Sequence, residues 1–168
     1  MNEMLLQDVL DHVRNRFYGK YRGTVTDVDA ATMRIKANVP AVLPGAPTGW
    51  CAPCVPYAGP QVGFLMLPEV GSGVWIEFEG GDVSFPIWTG CYWSAGDVPS
   101  SAAADVKSIV TTAGTLSFDN VGDSVTLAGS AQNTVVLDSS GATVSAGAGK
   151  IEVGASGVSV NSGALEVM

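Results

Sequence analysis

Between Leu116 and Val167, aliphatic side chains recur as couples two residues apart, with almost nothing larger between them. The couples are Leu116 and Phe118, Val125 and Leu127, Val135 and Leu137, Ala142 and Val144, Ile151 and Val153, Val158 and Val160, and Leu165 and Val167. A spacing of two places both members of a couple on one side of a strand. Gly, Asn, Asp or Ser follows each couple, so each strand is short and ends in a turn. A short repeat of this kind marks a β-stack rather than a globule. One chain so built offers a thin apolar face and long strand edges, and both seek partners. Three copies closing into a triangular prism would cover the face. Each buried Val or Leu contributes about 1.5–3 kcal/mol, so the couples of three chains together can offset an ordering cost that one chain cannot. The small residues Thr115, Ser117, Ser124, Thr126 and Ser159 fall on the other side. At about 4.8 Å per strand, such a stack is a rod roughly 30–35 Å long.

The rest of the chain is of another kind. All but one of the aromatics lie between Phe17 and Trp93, and all nine prolines lie between Pro40 and Pro99. The division predicts a body with an aromatic core at 18–93, a linker at 94–107 and the stacked tail at 108–168. Charged residues are only 14% of the 168, and the net charge is −8. An acidic surface repels phosphate backbones and anionic lipid, which argues against nucleic acid as a partner. So little charge for the surface of a small monomer points to oligomerisation.

Residues 1–17 carry Met4, Leu5, Val9, Leu10, Val13 and Phe17 at helical spacing, with acids early and arginines late, so a helix is expected there. An acidic start and interrupted apolar positions do not fit a signal peptide, so synthesis in the bacterial cytoplasm without processing is expected. Short β runs follow at Tyr18–Val28, Thr32–Val39, Trp50–Tyr57, Gly63–Leu67, Gly73–Glu79 and Phe85–Trp93. That number of strands in so short a stretch suggests an OB-like Greek-key barrel.

Two ordered stretches then carry a resemblance: Pro68-Glu-Val-Gly-Ser-Gly-Val-Trp-Ile-Glu-Phe-Glu-Gly-Gly-Asp82 and Pro86-Ile-Trp-Thr-Gly-Cys-Tyr-Trp93. With Tyr21-Arg-Gly-Thr-Val25, Met33-Arg-Ile-Lys-Ala37, Trp50, Ala58-Gly59 and Gly63-Phe64, residues 18–93 resemble the OB-fold of baseplate-assembly-protein-V and VgrG-type central spikes. The resemblance implies a structural spike of a phage tail, a tailocin or a related injection machine. In that family the barrels trimerise beneath a hub of the tail tube, and an intertwined trimeric β-helix forms the needle pushed through the target envelope. Two family features are missing from this sequence. The linker is too short for a lysozyme-like domain. The tail also lacks the histidine cluster with which some members hold iron, since His12 is the only histidine. A separate PAAR-like tip protein is therefore expected to dock on Val160, Leu165, Val167 and Met168. Leu5, Val9, Val13 and Phe17 are the hub-facing candidates.

Other chemistry is weaker. Cys51-Ala-Pro-Cys54 with Cys91 falls short of the four ligands of a zinc site, and the thiols read as structural, with a Cys51–Cys54 disulfide or a Cys91-assisted metal site as alternatives. His12 reads as a surface or interface residue. Glu77 and Glu79 share a face and read as solvated or paired with Arg34 or Lys36 rather than as a hydrolytic pair. Trp50, Trp75, Trp88, Tyr92 and Trp93 could stack bases, but no basic stripe accompanies them. The expectation is an all-β, non-enzymatic homotrimer without a cofactor. Its axis-facing residues are Leu116, Phe118, Val125, Leu127, Val135, Leu137, Ile151, Val153, Val158, Val160, Leu165 and Val167. The competing class is an OB-fold module binding carbohydrate or nucleic acid, with a β-solenoid adhesin tail.

Overall fold

A computed structural model describes residues 4, 6–7, 9–10, 13, 15–129 and 131–167. The chain divides into two compact units, Met1–Asp97 and Val98–Met168. The described residues are all-β. Within 1–17 the described positions Met4, Leu6, Gln7, Val9, Leu10 and Val13 have helical backbone, and the remainder of the expected helix lies outside the described residues.

The first unit is built from β1 (Tyr21–Asp29), β2 (Arg34–Asn38), β3 (Ala52–Pro53), β4 (Ala58–Gly59), β5 (Val62–Gly63), β6 (Gly73–Phe78) and β7 (Pro86–Tyr92). One sheet runs in the order β2-β1-β6-β7-β3. A bridge between Ile35 of β2 and Cys51, next to β3, brings the two edges of that sheet together. Alternation sends Val25, Ile35, Ala37, Val74, Ile76, Phe78 and Trp88 inward, and Val39 and Cys51 complete the core. The one buried polar side chain among the described residues is Thr48. Its hydroxyl accepts the Ala37 N–H at 3.0 Å and lies 3.2 Å from the Cys51 sulfur, while its own N–H donates to Ala37 O at 2.8 Å. Thr48 thus adds a side-chain bond to the isolated Asn38–Pro47 bridge that holds a proline-flanked loop against β2.

Phe17, a hub-facing candidate, is half-buried, and its ring packs edge-on against Tyr21 (6.2 Å) and Phe78 (6.4 Å) of its own barrel. Its N–H donates to Gly81 O at 2.8 Å, and Arg16 pairs with Asp82 at 2.9 Å. Residues 16–17 are thereby strapped to the barrel. The expected strand over Gly63–Leu67 is only the two-residue β5. Gln61 takes a left-handed turn (φ 61°), and Leu67 turns in against the core, leaving Phe64, Leu65 and Met66 exposed. Glu77 pairs with Lys20 at 2.7 Å, not with Arg34 or Lys36, because β1 stands between β2 and β6 and its register sets Lys20 beside Glu77, while Lys36 lies over the Trp50 ring at 4.7 Å.

The second unit is a single sheet of β8 (Val106–Val110), β9 (Gly114–Asp119), β10 (Ser124–Gly129), β11 (Thr134–Asp138), β12 (Gly141–Ala146), β13 (Gly149–Gly154), β14 (Gly157–Val160) and β15 (Leu165–Val167). The strands lie in sequence order and every neighbouring pair is antiparallel. The chain therefore pairs its own strands in hairpins rather than leaving every edge to other chains. At β8 the sheet reaches into the expected linker. Gly141 shows how tight the strand ends are: its φ is +135°, and a Cβ there would sit 2.0 Å from Val153 O.

All four tryptophans lie in the first unit, so their fluorescence reports on the barrel alone. Thr48→Val keeps the side-chain shape but leaves the Ala37 N–H without its acceptor. We expect a loss of about 1–3 kcal/mol, read as a lower denaturant midpoint of the tryptophan signal.

Candidate trimer interface

Strand pairing turns the couples into two continuous columns. Residues directly opposite on antiparallel strands share a face. The first column is Ile109, Leu116, Leu127, Val135, Val144, Ile151, Val160 and Leu165. The second is Phe118, Val125, Leu137, Ala142, Val153 and Val158, with Val167 next in register. All twelve expected axis residues thus fall on the same two register lines. Sequence reasoning missed Ile109, because its partner two residues back is Lys107 and the couple is broken. Lys107 stands opposite Phe118, at the head of the second column.

The other face carries Ser108, Ser117, Thr126, Val136, Thr143, Glu152 and Ser159 in line. The apolar face is bare. Leu127 is 54% exposed, Leu137 50% and Leu165 60%. Among the described residues of the tail, no second layer covers them. Val160 and Leu165, two of the expected tip-docking residues, face each other across the last two strands, and Val167 stands opposite Val158. Met168 and Leu5 lie outside the described residues, as does His12. Val9 and Val13 are exposed, as a docking role would require.

Carboxylates close the turns at the second-column end of the strands. Asp119 accepts N–H bonds from Gly122 (2.8 Å) and Val121 (2.9 Å), and these hold its carboxyl below the ordinary aspartate value. The Ser140 hydroxyl and N–H do the same for Asp138.

The barrel's candidate groups are spent on structure. Trp88 is buried, and its indole N–H donates to Met33 O at 3.3 Å. The Arg22 guanidinium stacks on Trp75 (5.6 Å) and Tyr92 (5.3 Å). These rings therefore do not form an open stacking platform. Glu79 opens a 3-10 turn instead of extending β6, so it does not align with Glu77 as a carboxylate pair. Cys51, Cys54 and Cys91 are free thiols. Burial pushes the Cys51 thiol up, against an opposing bond from Thr48, and burial followed by Glu69 pushes up Cys91. Neither is primed as a thiolate.

Residues 21–93 match the type VI secretion system/phage-baseplate injector OB domain, and residues 108–166 match the phage baseplate V C-terminal trimerisation domain. The chain belongs to the phage baseplate V family. Together the two matches span most of the sequence, and the second covers nearly the whole apolar face. No match is found among curated proteins. The baseplate V family supplies structural parts of the baseplate, and its trimerisation domain agrees with a sheet that leaves one face for other copies.

The lowered carboxyls of Asp119 and Asp138 give the tail a pH limit. A depressed folded pKa contributes stability above the unfolded value of about 4, and the contribution fades as pH falls through the folded one. Circular-dichroism melts are expected to show the tail weakening below about pH 4, with a flatter acid limb in the Asp119→Asn, Asp138→Asn double variant.

Proposed function

We propose that this chain is the central spike of a contractile injection machine. Three copies join through their tails into a prism, the barrels sit against a hub of the tail tube, and the prism serves as the needle driven into the target envelope. The observation that supports this reading best is the unbroken pair of apolar columns behind an injector-type OB domain. A face of that length burying seven or more aliphatic couples per chain is far more than a solvated tail would keep.

The physics suits the role. Strands stack along the rod, so their inter-strand hydrogen bonds run parallel to the load. Small outward side chains keep the rod thin. In this reading the protein works by shape and stiffness, not by catalysis, and needs no cofactor. Its place is the tail baseplate or an injection particle. β15 is the terminal strand of the sheet and carries the exposed Leu165, so the needle end presents an open strand edge with an apolar rim. A PAAR-like tip protein fits there as a lid.

Light scattering on the full chain should give the mass of three 17.2-kDa chains, and the assembly should persist on an unheated denaturing gel. Leu127→Asp buries an unpaired carboxylate in each copy, at a cost of several kcal/mol per ion. It should reduce the mass to one chain while tryptophan fluorescence stays native. A monomeric parent chain would overturn the spike and favour the ligand-binding module. For the tip, a PAAR-like protein encoded beside this chain should be retained by the trimer and lost with Val160→Asp, Leu165→Asp. Failure of the parent trimer to retain it, in a pull-down that recovers other partners, would remove the lid from the proposal.

A further inference from the structure

We infer that the trimer closes by an unlike fit, in which Phe118, Val125 and Leu137 of one copy seat in the groove that Leu116, Leu127 and Val135 line on the next. The inference rests on the trimeric reading above and names its contact.

In a closed threefold ring, residues meet their own counterparts only where they lie on the axis. Each copy meets the next through two different surfaces. The apolar face of this sheet offers two such surfaces, its first column and its second. With the axis along the stacking direction, each strand keeps its height from copy to copy. Phe118 on β9 then comes level with Leu116 on β9 of the neighbour, one strand spacing from Leu127 on β10.

The first column is built to receive it. It lines a groove of about 640 Å³ that runs from Ile109 to Val144 and is walled by the strand ends around Gly114 and Gly129. No charged residue lines the groove. Phe118 and Leu137, 44% and 50% exposed, are the large side chains of the second column. Beside them lies a depression of about 420 Å³ that includes Asp119, Asp123 and Asp138. Pairing second column with second column would bring these carboxylates of different copies together, a like-charge contact. Pairing it with the uncharged groove lets apolar side chains enter while the carboxylates stay at the rim in water.

The test places p-benzoylphenylalanine at position 118, and in a parallel sample at position 137, in full-length chains. Labelled and unlabelled nitrogen isotopes are mixed before assembly so that links between copies are recognised by mass. Light scattering first establishes the trimer. After irradiation and digestion, the expected products join position 118 to a neighbour's peptide bearing Leu116 or Leu127, and position 137 to one bearing Leu127 or Val135. Links confined to second-column residues of the neighbour, or no inter-copy link from either position in an intact trimer, would overturn the unlike fit and leave the trimer standing. A parent chain that scatters as a monomer would overturn both.

Discussion

The constraint on which the tail depends is the register that keeps every aliphatic couple on one side of the sheet. The side-chain period of a strand is two, so a slip of one residue in any hairpin would turn that strand's couple to the solvent side and put Ser, Thr or Glu on the apolar side. Eight strands in sequence order preserve the register through seven turns. The turns are fixed by local means: Asp119 and Asp138 accept N–H bonds two and three residues on, and Asn161 exchanges hydrogen bonds with Lys150 across the strand pair. Polar residues that look incidental in the sequence therefore decide where Leu127 and Ile151 point.

The two units solve the problem of stability differently. The barrel closes on itself, so Ile35, Val74 and Ile76 are fully buried within one chain, and the buried Thr48 hydroxyl ties a loop to β2. The tail satisfies its backbone in one chain but leaves its side chains half-exposed. A single layer with one bare apolar face is marginal in water. The aromatics follow the same division. Large rings fill a closed core, whereas the single-layered tail carries aliphatic side chains and one phenylalanine on its apolar face, which suits the narrow axis of the proposed prism.

Much of this was legible in the sequence. Couples two apart, with turn residues between them, were enough to place those residues on one face of a sheet, and the proline and aromatic boundary lies close to where the units divide. What was not legible depended on partners remote in sequence. Nothing near Phe17 announces that Gly81 and Phe78 will hold it to the barrel. Glu77 finds Lys20 because β1, not β2, is the neighbour of β6 in the sheet. Gly63–Leu67 reads as a strand by composition, yet the left-handed turn at Gln61 and the inward bend of Leu67 leave it only two residues of pairing. Ile109 was hidden by a lysine in its couple.

The pairing of strands within each chain also changes what assembly has to accomplish. In an intertwined helix, backbone hydrogen bonds and side-chain burial would form together, between chains, and a lone chain would be left with unpaired edges. Here consecutive hairpins can satisfy the backbone locally, with short loops and little closure entropy. Association is then left to bury side chains alone. In the proposed spike that separation would suit a rod: contacts between copies would be non-directional apolar ones, while the directional bonds between strands lie inside each chain. It also confines the exposed strand edges to β8 and β15, the two ends of the sheet. A needle of the proposed kind would have little tendency to pair sideways with other needles, and its open edges would lie at its ends, where the proposed spike would meet the rest of its machine.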